Sequence, residues 1–258
     1  MEEQLTTGIS CKKCSNEIQE GYNFCNRCGQ AINHEEIALY AKKWPNMLEV
    51  GLFFIIEIFC CATALIIDEP SLKNLFVIDV IMAIATILFF GYRWKENKTI
   101  LKWPAFSLIK LLTFIGITII ASIGVSYSVD FLNRVVFEKQ MGFYSIFAFH
   151  QYGTYLMFLS VALYPAIFEE LAYRGYLMQT LLKVVDEKEA IYISSILFFI
   201  IHFSLVSVFW LLPFALFLGW LRIKTKTIWY GVFIHFFFNL TACVLDIAPL
   251  SDIIKLLF

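Results

Sequence analysis

The chain has 258 residues, 60% hydrophobic and 16% charged, with a net charge of -1. Soluble domains carry about 25% charged residues, and a soluble fold of this length has too little interior to hide so much apolar surface. An ordinary soluble domain is therefore excluded, no nucleic-acid partner is expected, and the composition points to an all-α polytopic membrane protein.

The chain opens on a polar, cysteine-rich segment, residues 1–46, with no apolar run that would serve as a cleavable signal peptide. Residues 1–32 read as a small separate module. Within it Cys11-Lys12-Lys13-Cys14 and Cys25-Asn26-Arg27-Cys28-Gly29 form two CxxC knuckles. Two cysteines at this spacing can grip one metal while the backbone turns between them, and four thiolates at tetrahedral geometry suit zinc. A zinc closed by four thiolates keeps no open position, so the expected role is structural. The segment resembles the small zinc ribbons that begin many bacterial membrane proteins. Tyr22 and Phe24 are its expected apolar core, and its surface offers a docking site for a cytoplasmic protein.

Residues 33–47 read as a linker ending in the basic stretch Lys42-Lys43-Trp44-Pro45. From 48 to 258 the chain reads as a multi-helix membrane domain, with spans expected at about 48–67, 75–92, 106–129, 152–182, 190–205, 207–222 and 228–247. The count is about seven, within six to eight. The fifth and sixth segments fall short of the roughly 20 residues a simple span needs and read as a tightly joined pair. The link 130–151, with Asp130, Arg134, Glu138 and Lys139, has room for an interfacial helix. Cys60, Cys61 and Cys243 read as buried hydrophobic thiols.

Lysine and arginine set the orientation. Arg93, Lys95, Lys98, Lys102, Lys183, Lys188, Arg222, Lys224 and Lys226 fall, with Lys42 and Lys43, on one set of turns. The alternate turns carry Lys73, Arg134, Lys139 and Lys255. The N-terminus is therefore expected in the cytoplasm and the C-terminus outside. Trp44, Trp94, Trp103 and Trp229 lie near the expected inner boundaries, as interfacial aromatics do.

Charged residues within the spans are the sharper signal. Each costs about 2.5–3.5 kcal/mol near the bilayer centre on insertion scales, yet the fourth span holds Glu169, Glu170 and Arg174. Glu170 and Arg174 are i, i+4 and share a helix face, where they can pair. Glu169 is turned away by about 100° and left free for chemistry. His202 follows Phe198 by four residues, and Asn239 follows His235 by four. Glu169 and His202 together could hold and deprotonate water, with His235 and Asn239 donating to a developing oxyanion. Alternatively, Glu169, His202 and His235 form a carboxylate-plus-two-imidazole metal set. Glu57 and Asp79 also fall inside spans, and no motif claims them.

The ordered series Glu169-Glu170-x-x-x-Arg174, Phe198-x-x-x-His202 and His235-x-x-x-Asn239 resembles the three motifs of the CAAX-protease and bacteriocin-processing (CPBP, or Abi) intramembrane proteases. The segment 219–229 before the third motif is also similar, and the likeness spans about 150–245. The resemblance implies an α-helical intramembrane endopeptidase. Glu169 would activate water with help from His202, His235 and Asn239 would form the oxyanion site, and Glu170 and Arg174 would brace it. The family has been described both as metal-dependent and as glutamate-based, so a catalytic metal stays open. The expected setting is a bacterial cytoplasmic membrane, with lipid and a membrane-associated protein or peptide substrate as partners. The competing functions are an ion- or proton-coupled transporter and a non-catalytic scaffold or immunity protein.

Overall fold

The computed structural model describes residues 9–18, 22, 24–32, 34–66, 71–137, 144–205, 207–248 and 252. The expected loop charges Glu138, Lys139 and Lys255 lie outside these, as does the side chain of His34. The chain divides into two compact units, Met1–Leu48 and Glu49–Phe258.

In the first unit, β1 (Ile9–Ser10) pairs antiparallel with β2 (Glu17–Ile18) in the register Ile9↔Ile18. Each cysteine knuckle closes in the same way. Ser15 N–H donates to the Cys11 carbonyl and Gly29 N–H to that of Cys25, and both residues lie in the left-handed region, at φ 56° and 69°. Glycine adopts that region without a Cβ penalty, whereas serine is strained there. The core is not the one expected. Tyr22 is 50% and Phe24 61% exposed, and Cys11, Ile18 and Cys25 are buried instead. Ile18 turns inward with Ile32 packed against it, and the four cysteines fill the remaining space.

Helices then follow in order: α1 (His34–Ile66), α2 (Leu72–Tyr92), α3 (Trp94–Asn97), α4 (Leu108–Leu132), α5 (Tyr144–Phe147), α6 (Gly153–Met157), α7 (Tyr164–Glu169), α8 (Met178–Leu181), α9 (Glu187–Ile200), α10 (Val208–Thr225) and α11 (Trp229–Ile247). Helix starts follow side-chain chemistry. Ser71 caps α2, Ser107 caps α4, and Asp186 with Glu189 forms a reciprocal capping box on α9. Among the described residues six helical runs are long and apolar enough to cross a membrane: Lys42–Ala64, Leu72–Tyr92, Leu108–Val135, Gly153–Leu181, Val208–Thr225 and Trp229–Ile247. The protein is an all-α integral membrane protein.

The expected fifth span corresponds to α9, whose 14 residues reach about 21 Å and stop short of a bilayer core of about 30 Å. It packs against α10 as the expected pair. In the 130–151 link, α4 continues past Asp130, which pairs with Arg134 at 3.0 Å, and the described helix there is the single turn α5.

The run Gly153–Leu181 lies at the centre of the bundle. It is not a regular α-helix: wide π turns occupy Phe158–Leu163 and Glu170–Leu177. Pro165 accounts for part of this irregularity, since it has no N–H to give the carbonyl four residues back, at Val161. Every residue from Ala172 to Leu177 is buried. Phe53 of α1 and Phe89 of α2 pack edge-on or tilted against Tyr176, with ring centroids 5.1–5.3 Å apart. Lipid is as apolar as leucine, so such close packing and internal hydrogen bonds hold membrane helices together. Exposed Ile109, Ile120, Phe131 and Phe209 face outward as lipid-contacting surface. Phe53, Phe90, Phe147 and Phe198 are instead interior.

Candidate active site and metal centre

Glu170 begins the second π turn and is 1% exposed, as is Arg174. Arg174 Nη1 donates to Glu170 Oε1 at 2.9 Å, and Nη2 donates to the Ala215 carbonyl of α10 at 3.1 Å. The guanidinium lies 4.5 Å above the Phe198 ring centroid, a cation–π contact that strengthens when water is absent. The same Glu170 oxygen meets His235 Nδ1 at 3.1 Å. An ionised carboxylate only accepts, which puts the His235 proton on Nδ1 and leaves Nε2 as the other ring position.

Gly231 makes this arrangement fit. A Cβ there would stand 2.8 Å from Glu170 Oε2, so α11 approaches the carboxylate only because position 231 has no side chain. Gly231 lies one turn before His235. Sequence reading missed it, and its only signal was a glycine inside an apolar helix four residues before a histidine.

Glu169 points elsewhere. Its carboxylate is 18% exposed, and Oε2 lies 3.8 Å from His235 Nε2 with no hydrogen-bond partner. It lines a cavity of about 320 Å³ with His202, Asp79, Asn74, Tyr164 and Cys61 among its walls. His202 sits just past the end of α9, exposed, and its Nδ1 donates to the Phe198 carbonyl at 2.8 Å. A carbonyl only accepts, so Nε2 is left with a lone pair. Phe198 separates the histidines: its centroid is 4.8 Å from His202 and 6.1 Å from His235. Both rings thus contact Phe198, with Glu169 in contact range of His235 and on the cavity wall with His202.

Asn239 donates from Nδ2 to the Val161 carbonyl at 3.0 Å, the carbonyl for which Pro165 offers no N–H. Neighbouring helices commonly satisfy backbone groups that an intramembrane proline frees. One of its two amide hydrogens is thereby committed to α11 packing.

Two unclaimed acids belong to this region. Asp79 lines the cavity, accepts from Ser160 Oγ at 2.9 Å and takes Tyr164 OH on its backbone carbonyl. Glu57 is 1% exposed, and its Oε1 has no partner. Cys60 and Cys243 are buried thiols as expected, whereas Cys61 faces the cavity. His150 is exposed.

Among the described residues, the four cysteines are the one group of three or more potential ligands whose donor atoms all lie within 4.8 Å of one another. Glu169, His202 and His235 do not meet that spacing. Cys11 and Cys28 sulfurs are 3.5 Å apart, and those of Cys14 and Cys25 3.6 Å. A tetrahedral zinc with bonds of about 2.3 Å requires sulfur–sulfur edges of about 3.8 Å, so the cluster fits a zinc ribbon. Backbone N–H groups, first that of Lys13, pull the Cys11 thiol down to about 6.

A helical membrane protein with a carboxylate and a histidine on one intramembrane cavity, braced by a buried Glu–Arg pair, is the class these features define. Residues 151–241 match the family model described as type II CAAX prenyl endopeptidase Rce1-like, so this stretch is similar to that branch of the CPBP family of intramembrane endopeptidases. No curated protein and no solved structure matches the chain.

Proposed function

We propose that the protein hydrolyses a peptide bond of a membrane-associated protein or peptide, with water activated by Glu169. The observation that carries this reading is the division between adjacent acids. Glu170 is occupied by Arg174 and His235, whereas Glu169 faces the cavity with an unpartnered oxygen. In this mechanism Glu169 takes a proton from water as the oxygen attacks the carbonyl carbon, and His202 Nε2 orients that water. The carbonyl π electrons move to oxygen, and the resulting oxyanion is met by the second N–H of Asn239 and by His235, which donates from Nε2 in its imidazolium form while Nδ1–H stays on Glu170. When the C–N bond breaks, Glu169 returns its proton to the leaving amine. Glu170 and Arg174 hold His235 in place and are positioning residues.

The four-cysteine module is read as holding structural zinc through Cys11, Cys14, Cys25 and Cys28. Bound zinc would lock the two knuckles together, and no step of hydrolysis passes through it. The module's surface remains the proposed docking point for a cytoplasmic partner.

The test is cleavage of a membrane-peptide library by the purified protein in lipid nanodiscs. The reading requires cleavage products with the wild type and none with Glu169→Gln. A second reading, proton transfer across the membrane, draws on Asp79 and Glu57 near Glu169. It requires a proton flux in sealed vesicles and no cleavage.

A further inference from the structure

The cavity beside Glu169 opens at one end of the helix bundle, and the basic residues sit at the other. Its walls include Ser71, the cap of α2, Asn74 in the first turn of that helix, and His202 and Phe203 just beyond α9, and the exposed members of this set mark its mouth. Ser71, His202 and Phe203 are exposed. Cys61 and Ala64, from the last turns of α1, complete the same end. At the opposite end of these helices lie Arg93, Lys95 and Lys98 after α2, Lys183 before α9 and Lys188 in its first turn, and Arg222 and Lys224 at the close of α10.

That basic end is tied shut. Trp229 Nε1 donates to the Leu101 carbonyl at 2.7 Å, and Thr227 Oγ1 and Ile228 N–H donate to the Ile100 carbonyl, each at 3.2 Å. Ser107 N–H donates to Tyr230 OH at 3.0 Å, and Trp103 stacks on Trp229. Lys183 pairs with Glu96, and Arg93 with Glu49. A second cavity of about 360 Å³, between Trp94, Trp229, Phe90 and Leu171, lies toward this end, but neither Glu169 nor any other ionisable residue is among its walls. The mouth end, by contrast, carries Lys73 and Arg134 among the described residues, and Arg134 is neutralised by Asp130.

Lysine and arginine near span ends stay on the cytoplasmic side. From this and the position of the mouth we infer that the site is entered from the extracytoplasmic side. Its substrate class is then a membrane-anchored or exported peptide whose scissile bond lies in the outer half of the bilayer. A cytoplasmic tail lying on the inner leaflet meets the closed end. This inference rests on the peptidase reading only for the nature of the substrate. The side of entry stands on geometry and charge.

The experiment uses the full chain in bacterial cells, with one added cysteine at a time and an impermeant maleimide. Peptide mapping by mass spectrometry separates each adduct from those of the native cysteines. Lys73→Cys at the mouth rim and Asn74→Cys in the cavity wall should label to the same extent in intact and permeabilised cells. Lys98→Cys should label only after permeabilisation. Labelling of Lys98→Cys in intact cells, with Lys73→Cys and Asn74→Cys protected until permeabilisation, overturns the inference. Because labelling needs no turnover, loss of the peptidase reading leaves this result independent.

Discussion

Arg174 Nη1 and Glu170 Oε1 stand 2.9 Å apart, one helical turn from each other, with both side chains 1% exposed. Removing one charge from a buried pair strands the other, which costs about 3–5 kcal/mol. Glu170→Gln should therefore lower the thermal unfolding temperature in detergent and reduce yield. Glu169→Gln, which breaks no ion pair with arginine or lysine, should unfold near the wild-type temperature. Equal thermal stability of the two variants would count against the bracing role of Glu170.

Gly231 sets the distance between α11 and that carboxylate. Gly231→Ala would place a methyl group 2.8 Å from Glu170 Oε2. The oxygen is poorly free to retreat, because the other half of the carboxylate is held by Arg174 and His235. Overpacking of this kind costs about 1–3 kcal/mol. The variant should lose stability and turnover together, measured by thermal denaturation and peptide cleavage. Wild-type values of both would show that the bundle absorbs the methyl group.

Asn239 separates two roles. If its amide chiefly satisfies the Val161 carbonyl exposed by Pro165, Asn239→Ala costs about 1 kcal/mol of stability. If the second N–H also serves the oxyanion, turnover falls by roughly 10²-fold or more. We expect both effects. A variant of reduced stability that cleaves at the normal rate would confine Asn239 to packing.

The zinc ribbon should bind about one zinc per chain, as four thiolate ligands require. Metal analysis of the full chain and of Cys14→Ser tests this, with loss expected in the variant. Ligand thiols must lose their protons to bind, so zinc should be released as the pH falls. Chelation should leave peptide hydrolysis by the membrane unit intact. Hydrolysis that disappears on chelation and returns with zinc would contradict the separation of roles.

Some of this architecture is legible in the chain because it follows from local spacing. The i, i+4 interval locates the Glu170–Arg174 pair even though the helix there widens to π turns, since residues four apart still meet. Long apolar runs mark the spans, and the CxxC pairs mark the metal cluster. What stays hidden depends on neighbours distant in sequence. Gly231 matters because α11 crosses Glu170, Asp79 because α2 forms a cavity wall, and Asn239 meets Val161 because Pro165 frees a carbonyl on another helix. The exposure of Tyr22 and Phe24 has the same origin: in so small a module the cysteines take the interior, which a list of aromatic residues does not reveal. The length of α9 is set by its break at Ile201, with Phe203 at a φ of 48°, a backbone feature that an apolar run conceals.

The most direct test of the central claim is single-turnover cleavage of a membrane peptide by wild type, Glu169→Gln and Glu170→Gln, each with its thermal stability recorded. A fully folded Glu169→Gln should cleave nothing, and Glu170→Gln should show reduced stability with reduced cleavage. Normal turnover by Glu169→Gln, beside a well-folded and inactive Glu170→Gln, would contradict that claim and assign water activation to Glu170.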